Sequence, residues 1–179
     1  MTQVGSVYAQ ALYDLAKDEG LSRKILSELK ALNEAFSQNA DFLRLLSTPN
    51  LGKDERCGIL DESFRGKIQP YVLNFLKILT EKGYIRQFSD CCEAYRMLYN
   101  EDNGILPVKA VTAVPLTAEQ TKKLCDKLHK NTGKTIELIN VVDPACIGGV
   151  RLDYDGKRMD DTVQHRLDAV RGLLKNTML

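Results

Sequence analysis

Residues 136–174 read IELINVVDPACIGGVRLDYDGKRMDDTVQHRLDAVRGLL, and within them the hydrophobic period changes from that of strands to that of a helix. Residues 136–142 predict one strand, and residues 147–152 predict the start of another. Asp155-Gly156 is the dipeptide that most strongly favours a tight hairpin turn. After the acidic residues 160–161, apolar side chains recur at helical spacing. They predict an amphipathic terminal helix with an apolar face of Val163, Leu167, Val170 and Leu174.

The first hundred residues have the period of helices throughout. Six helices are predicted between residues 4 and 103, with breaks where glycine or proline interrupts the pattern. Gly20 and Gly83 end helices, and Pro70 occupies a first-turn position, where its missing N–H costs little. The fourth helix is predicted over residues 53–64 and the sixth over residues 84–103.

Beyond Gly104 the pattern becomes mixed. Residues 105–114 predict a strand, and Thr117 with Gln120 forms a capping box that starts a helix reaching His129. The fold class predicted is therefore mainly α with a small α/β part. An N-terminal six-helix bundle, residues 1–104, is followed by a small C-terminal α/β domain, residues 105–179, that ends in an amphipathic helix.

Composition excludes several classes of protein. The 179 residues are 44% hydrophobic and 27% charged with a net charge of +1, which is typical of a globular protein without a basic face for nucleic acid. No stretch approaches the roughly 20 apolar residues that span a bilayer, so no direct membrane insertion is expected. The N-terminus resembles neither a signal peptide nor a transit peptide, which favours a bacterial chain over an organellar precursor.

Residues suited to catalysis or metal binding are few. The five cysteines lack CxxC spacing, which favours small buried side chains in a reducing compartment over a metal site or redox pair. Cys146 with His165 could form a nucleophile and base, but no motif supports the pair, and the histidines are expected to be surface residues. The turn at residues 153–156 lacks the ligand spacing of a calcium loop. No catalytic residue, cofactor or metal is predicted.

The fifth helix is more apolar than a bundle helix needs, since residues 70–79 carry apolar side chains around most of its circumference. One interpretation is a central helix packed on all sides. The other is that one stripe packs inward while a second lines a groove beside Ala9 and Ala11 of the first helix. Such a groove would admit a partner helix.

Six segments together resemble the delta subunit family of bacterial F-type ATP synthases, whose mitochondrial counterpart is the oligomycin-sensitivity-conferring protein. They occur in the family's order and extend over nearly the whole chain: YAQALYDLA at 8–16, FLRLLSTP at 42–49, NFLKILTEKG at 74–83, VTAVPLT at 111–117, VDP with IGGV at 142–150, and DDTVQHRL at 160–167. Two positions depart from the family's pattern. Asp161-Thr162 replaces the usual Gly-Ser, and Tyr84 stands where a basic residue is common.

The resemblance implies a non-catalytic stator connector, present in one copy per complex. It links the catalytic alpha/beta hexamer to the peripheral stalk so that torque from proton flow is used for ATP synthesis. The implied location is peripheral, on the cytoplasmic side of the bacterial cell membrane.

Two partners are implied. The N-terminal helix of an alpha subunit would lie between the first and fifth helices, on Tyr8, Ala11, Leu15, Phe75, Ile78, Leu79 and Lys82. The C-terminus of the b subunits would bind the C-terminal domain, on a surface that includes Val163, Leu167, Val170 and Leu174. Two alternatives stay open from sequence: a helical adaptor unrelated to the synthase, and a small cysteine-dependent enzyme.

Overall fold

The computed structural model describes residues 3–48 and 51–168 of the chain. The chain divides into two compact units, Met1–Tyr99 and Asn100–Leu179. Within the described residues the first unit is built of helices, and the second adds a small mixed sheet. The prediction of a mainly helical chain with a small α/β part is therefore confirmed at that level. Among the described helices, none is both long and apolar enough to cross a membrane.

The helices of the first unit begin and end close to the predicted glycine and proline positions. Their bounds are α1 Gln3–Asp18, α2 Ser22–Gln38, α3 Ala40–Leu46, α4 Lys53–Phe64, α5 Pro70–Glu81 and α6 Phe88–Asp102. The sixth helix was predicted to start at Tyr84, which is wrong. A separate 3-10 turn, Ile85–Gln87, precedes α6 because Gly83, at φ +77°, first ends α5. The Tyr84 amide then donates to the Leu79 carbonyl at 2.7 Å, closing that helix end.

One apolar core joins these helices. Phe36 of α2 contacts Phe42, Phe64 and Phe88, with ring centroids 5.7, 6.1 and 5.1 Å apart. Aromatic rings that meet edge to face stabilise a core beyond the area they bury. They tie α2, α3, α4 and α6 together.

The second unit contains a four-stranded sheet in the order β2-β1-β3-β4. The strands are β1 Ile105–Thr112, β2 Thr135–Val142, β3 Val150–Tyr154 and β4 Lys157–Asp160, with helix α7, Ala118–Thr132, between β1 and β2. The parallel β1–β2 pair needs this crossover helix, while β3 and β4 form an antiparallel hairpin through Asp155-Gly156. Side chains of Leu106, Val108, Leu128 and Leu152 fill the core between the sheet and α7.

Two local predictions of the second unit have clear outcomes. The capping box is confirmed: the Thr117 amide donates to Gln120 Oε1 at 2.9 Å, and the Gln120 amide donates to Thr117 Oγ1 at 3.3 Å. The strand predicted from residue 147 is wrong, since β3 begins at Val150. A 3-10 turn, Pro144–Cys146, and a positive φ of +63° at Ile147 keep the preceding residues out of the sheet.

Candidate partner-binding surfaces

Helix α1 carries more apolar surface than the core covers. Its core-facing residues are almost fully buried, namely Ala9, Leu12, Tyr13 and Ala16. A second apolar stripe, Val7, Ala11 and Leu15, follows at intervals of four and so lies on one other face. Val7 is 65% exposed and Leu15 is 40% exposed. Because an ordinary surface helix has one apolar stripe, the second one indicates a surface for a partner.

Helix α5 combines a buried face with one exposed apolar residue. Six of its residues are buried, among them Phe75 and Leu79 at 6% and 0% exposure. Ile78 is 44% exposed and shares a face with Asn74 and Lys82, four residues to either side. The interpretation of a helix packed on all sides is therefore wrong at Ile78, although most of α5 packs inward. The partner groove stays a prediction.

Contacts to α4 show which way the open stripe of α5 points. The Lys77 ammonium lies 2.8 Å from the Asp61 carboxylate of α4, and the Cys57 thiol lies 3.7 Å from a Glu81 oxygen. Lys77 and Glu81 are four apart and therefore define the flank of α5 that faces α4. Ile78 follows Lys77 and therefore lies about 100° further round α5 than the side chain that pairs with Asp61.

Tyr8 and Tyr84 connect α1 with the end of α5. Their ring centroids are 6.1 Å apart, and both side chains are half-buried. Tyr84 is held there by the helix end at Gly83 described above. The structure thus brings Tyr8 to the C-terminal end of α5, on the unit that also presents Ala11, Leu15, Ile78 and Lys82 to solvent. Phe75 and Leu79 support this surface from the core and expose almost nothing to a partner.

We use the name helix groove for the residues that are proposed below to bind a partner helix: Val7, Tyr8, Ala11, Leu15, Ile78 and Lys82. Val7 is an exposed apolar residue of this set that the sequence analysis missed. Its spacing of four to Ala11 could have predicted that the two share a helix face. Another apolar cleft, of about 750 Å³, opens between α2, α3 and α4 and is lined by Phe42, Leu45 and Phe64.

The second predicted surface begins at the helical residues 163–168. Val163 and Leu167, one turn apart, are 40% and 55% exposed, while the predicted Val170 and Leu174 lie outside the described residues. Thr162 is buried and caps this helix: its hydroxyl donates to Asp160 Oδ1 at 2.7 Å and accepts from the His165 amide at 3.2 Å. The hydrogen bonds from the Thr162 hydroxyl and amide lower the pKa of Asp160.

Cys57 and Cys91 lack the environment of a catalytic nucleophile. Burial, with a smaller effect of the Asp90 charge, raises the pKa of Cys91 to about 11, and burial followed by the Glu81 charge raises the pKa of Cys57. Neither thiol favours the reactive thiolate at neutral pH. Cys146 and His165 line one small pocket of about 170 Å³, with Cys146 only 5% exposed. Within residues 3–48 and 51–168, no three His, Cys, Asp or Glu side chains are placed to hold a metal ion.

Known proteins match this chain over nearly its whole length. The sequence model of the ATP synthase delta (OSCP) subunit family matches residues 4–174. ATP synthase subunit delta of Alkaliphilus oremlandii is 32% identical over 176 residues, 98% of each chain, and that of Clostridioides difficile is 28% identical over 98% of this chain and 97% of its own. In solved structures, a chain of the Toxoplasma gondii mitochondrial ATP synthase hexamer has the same fold, with a TM-score of 0.75 at 20% identity and coverage of 97% and 98%. The chain therefore belongs to the ATP synthase delta (OSCP) subunit family, whose members are structural, non-catalytic subunits of the F-type ATP synthase.

Proposed function

We propose that this subunit binds the N-terminal helix of the ATP synthase alpha subunit in the helix groove and the C-terminus of the b subunits on its C-terminal part. Residues 1–104 would act as the family's six-helix bundle and residues 105–179 as its stalk-binding domain. One copy per complex, on the cytoplasmic side of the bacterial membrane, would join the catalytic hexamer to the peripheral stalk.

The observation that carries this proposal is the second apolar stripe of α1. Val7, Ala11 and Leu15 give α1 an exposed apolar face of two helical turns, and Ile78 is an exposed apolar side chain on α5. The Tyr8–Tyr84 contact connects α1 with the C-terminal end of α5. Exposed charges accompany these apolar residues, with Asp14 and Asp18 on α1 and Lys82 directly after α5. An apolar floor with a charged rim fits an amphipathic helix, whose apolar residues recur at the same spacing.

Such a connector works by holding two bodies together. Rotor torque drives ATP synthesis only when the catalytic hexamer is prevented from turning with the rotor. A subunit that binds the hexamer at one surface and the membrane-anchored stalk at another supplies that resistance without contacting nucleotide. The strength of each contact depends on a few well-packed apolar residues more than on the area buried.

The proposal is tested by titrating the full chain with a synthetic peptide of about 20 N-terminal residues of the alpha subunit from the same organism, long enough to form a helix in the groove. We expect saturable one-to-one binding that is lost in Ile78→Asp and Val7→Asp. The charge introduced by either change would have to be desolvated in the groove without a partner. Heat of binding measured by calorimetry gives Kd and stoichiometry together.

Leu45→Asp is the matched control, because Leu45 is 43% exposed, almost the same as Ile78, but lies on α3 at the separate cleft. This variant should bind the peptide like the wild type. Wild-type binding by both groove variants would show that the groove is misplaced, and weakening by Leu45→Asp alone would move the site to the other cleft.

A further inference from the structure

The backbone of residues 160–163 runs directly against the glycine pair Gly148-Gly149. A Cβ atom at Gly149 would overlap the Asp161 carbonyl oxygen, an overlap that no side chain tolerates, and would lie 3.0 Å from Thr162 Cα. Gly149 also has a φ of +83°, which glycine adopts without a steric penalty. Only glycine at this position therefore allows the two stretches of backbone to meet.

Hydrogen bonds hold the two stretches in this position. The Asp161 amide donates to the Val150 carbonyl at 3.1 Å, and the Val163 amide donates to the Gly148 carbonyl at 3.0 Å. Together with the Thr162 cap and its bonds to Asp160, they fix both the start and the direction of the helical residues 163–168. We call Gly148, Gly149, Asp160, Asp161 and Thr162 the glycine clamp.

The clamp places the side chain of Val163 over Gly148, where a methyl group would lie 3.4 Å from Val163 Cγ2. The neighbouring residue, Ile147, is 59% exposed and forms a γ-turn in which the Gly148 amide donates to the Cys146 carbonyl at 2.7 Å. Its φ of +63° is strained for a β-branched residue. Folding thus strains the backbone at Ile147 and leaves most of its apolar side chain in water. This combination indicates that the side chain binds a partner.

Charges beside this position indicate the chemistry of the partner. The pocket of about 170 Å³ next to Cys146 is lined by three carboxylates, Asp143, Asp160 and Asp168, and by a single guanidinium, that of Arg151. The net charge of this wall is therefore negative. An amphipathic helix whose apolar face is bordered by lysine or arginine would complement both the apolar residues and the acidic wall.

We propose that the glycine clamp positions the helical residues 163–168 so that Ile147 joins Val163 and Leu167 in one apolar surface, which binds a basic amphipathic helix of the stalk b subunit. This inference rests on the stalk-binding role proposed above and adds two residues to it. Ile147 contacts the partner, and Gly149 is a positioning residue that acts through the clamp.

The test compares three full-length variants by titration with a synthetic peptide of roughly 20 C-terminal residues of the b subunit. Gly149→Ala should raise Kd about tenfold or more, since its methyl group displaces residues 161–162. Gly156→Ala is the matched control, because Gly156 has a similar φ of +69° but no atom within 4 Å of the added Cβ, and it should leave Kd within about twofold. Ile147→Gly should raise Kd about fivefold or more while thermal stability stays equal or increases, because it removes backbone strain along with the side chain.

All variants should bind the alpha-subunit peptide with unchanged affinity, which a general loss of folding would not permit. Wild-type affinity of Ile147→Gly or Gly149→Ala for the b peptide would refute the present inference and leave the stalk-binding role standing. No binding of the wild-type chain to the b peptide would refute that role, and this inference with it.

Discussion

Ile78 and Leu79 are adjacent in α5 and differ sharply in exposure, at 44% and 0%. Truncating each to alanine should separate binding from stability. Leu79 lies in the core of the first unit, so its loss leaves a cavity inside the protein. Ile78 contributes its exposed part to the helix groove, so its loss removes surface that a bound alpha-subunit helix would cover.

The magnitudes follow from these exposures. Ile78→Ala deletes three carbon atoms, each worth about 0.8 kcal/mol when it is fully transferred out of water. Ile78 is 44% exposed in the free chain, so a partner that covers this exposed part would gain about 1 kcal/mol of binding free energy from it. Its loss should raise Kd about fivefold. The buried remainder corresponds to about 1 kcal/mol of unfolding free energy, partly offset by the higher helix propensity of alanine. Leu79→Ala should instead lower the unfolding free energy by about 2–5 kcal/mol.

The assay combines denaturant unfolding with titration of the alpha-subunit peptide at a temperature where both variants are folded. We expect the larger loss of stability in Leu79→Ala and the larger loss of affinity in Ile78→Ala. The reverse order of affinities would mean that Leu79, and not the exposed stripe of α5, meets the partner. Equal affinities of Ile78→Ala and the wild type would refute the groove at this position.

Two further predictions concern titratable groups. Because burial raises the pKa of Cys91 to about 11, the unfolded thiol ionises first as pH rises. The unfolding free energy should therefore fall between pH 9 and about 11 by up to about 3 kcal/mol, and denaturant unfolding of Cys91→Ala should show a flatter pH profile. A profile identical to that of the wild type would contradict this. Thr162→Val removes the hydroxyl that caps the terminal helix and donates to Asp160, so stability should fall by about 1 kcal/mol and the pKa of Asp160 should rise. If NMR titration gives the same pKa of Asp160 in Thr162→Val and in the wild type, the Thr162 hydroxyl is not what lowers that pKa.

Several local features of this protein were predicted correctly from the sequence alone. Helix α4 occupies the predicted residues 53–64, α5 starts at Pro70, and the Thr117–Gln120 capping box and the Asp155-Gly156 turn form as expected. Each of these features depends on residues within a few positions of one another, so the sequence contains the whole interaction. The family, too, follows from segments read along the chain.

Exposure, by contrast, depended on the tertiary structure. The family resemblance implied a partner surface with Phe75, Ile78 and Leu79 together, but only the packing of the helices shows that Ile78 alone of these three faces solvent. The γ-turn at Ile147 was missed for the same reason, whereas the stripe at Val7 had a signal in the sequence, its spacing of four to Ala11. Contacts between residues that are distant in sequence decide which face of a helix is covered and where the backbone must turn tightly. Asp61 beside Lys77 and Asp161 beside Gly149 are examples. The sequence by itself thus determined the elements and the family, and the tertiary structure decided which side chains are left for a partner, because burial is a property of the packed chain as a whole.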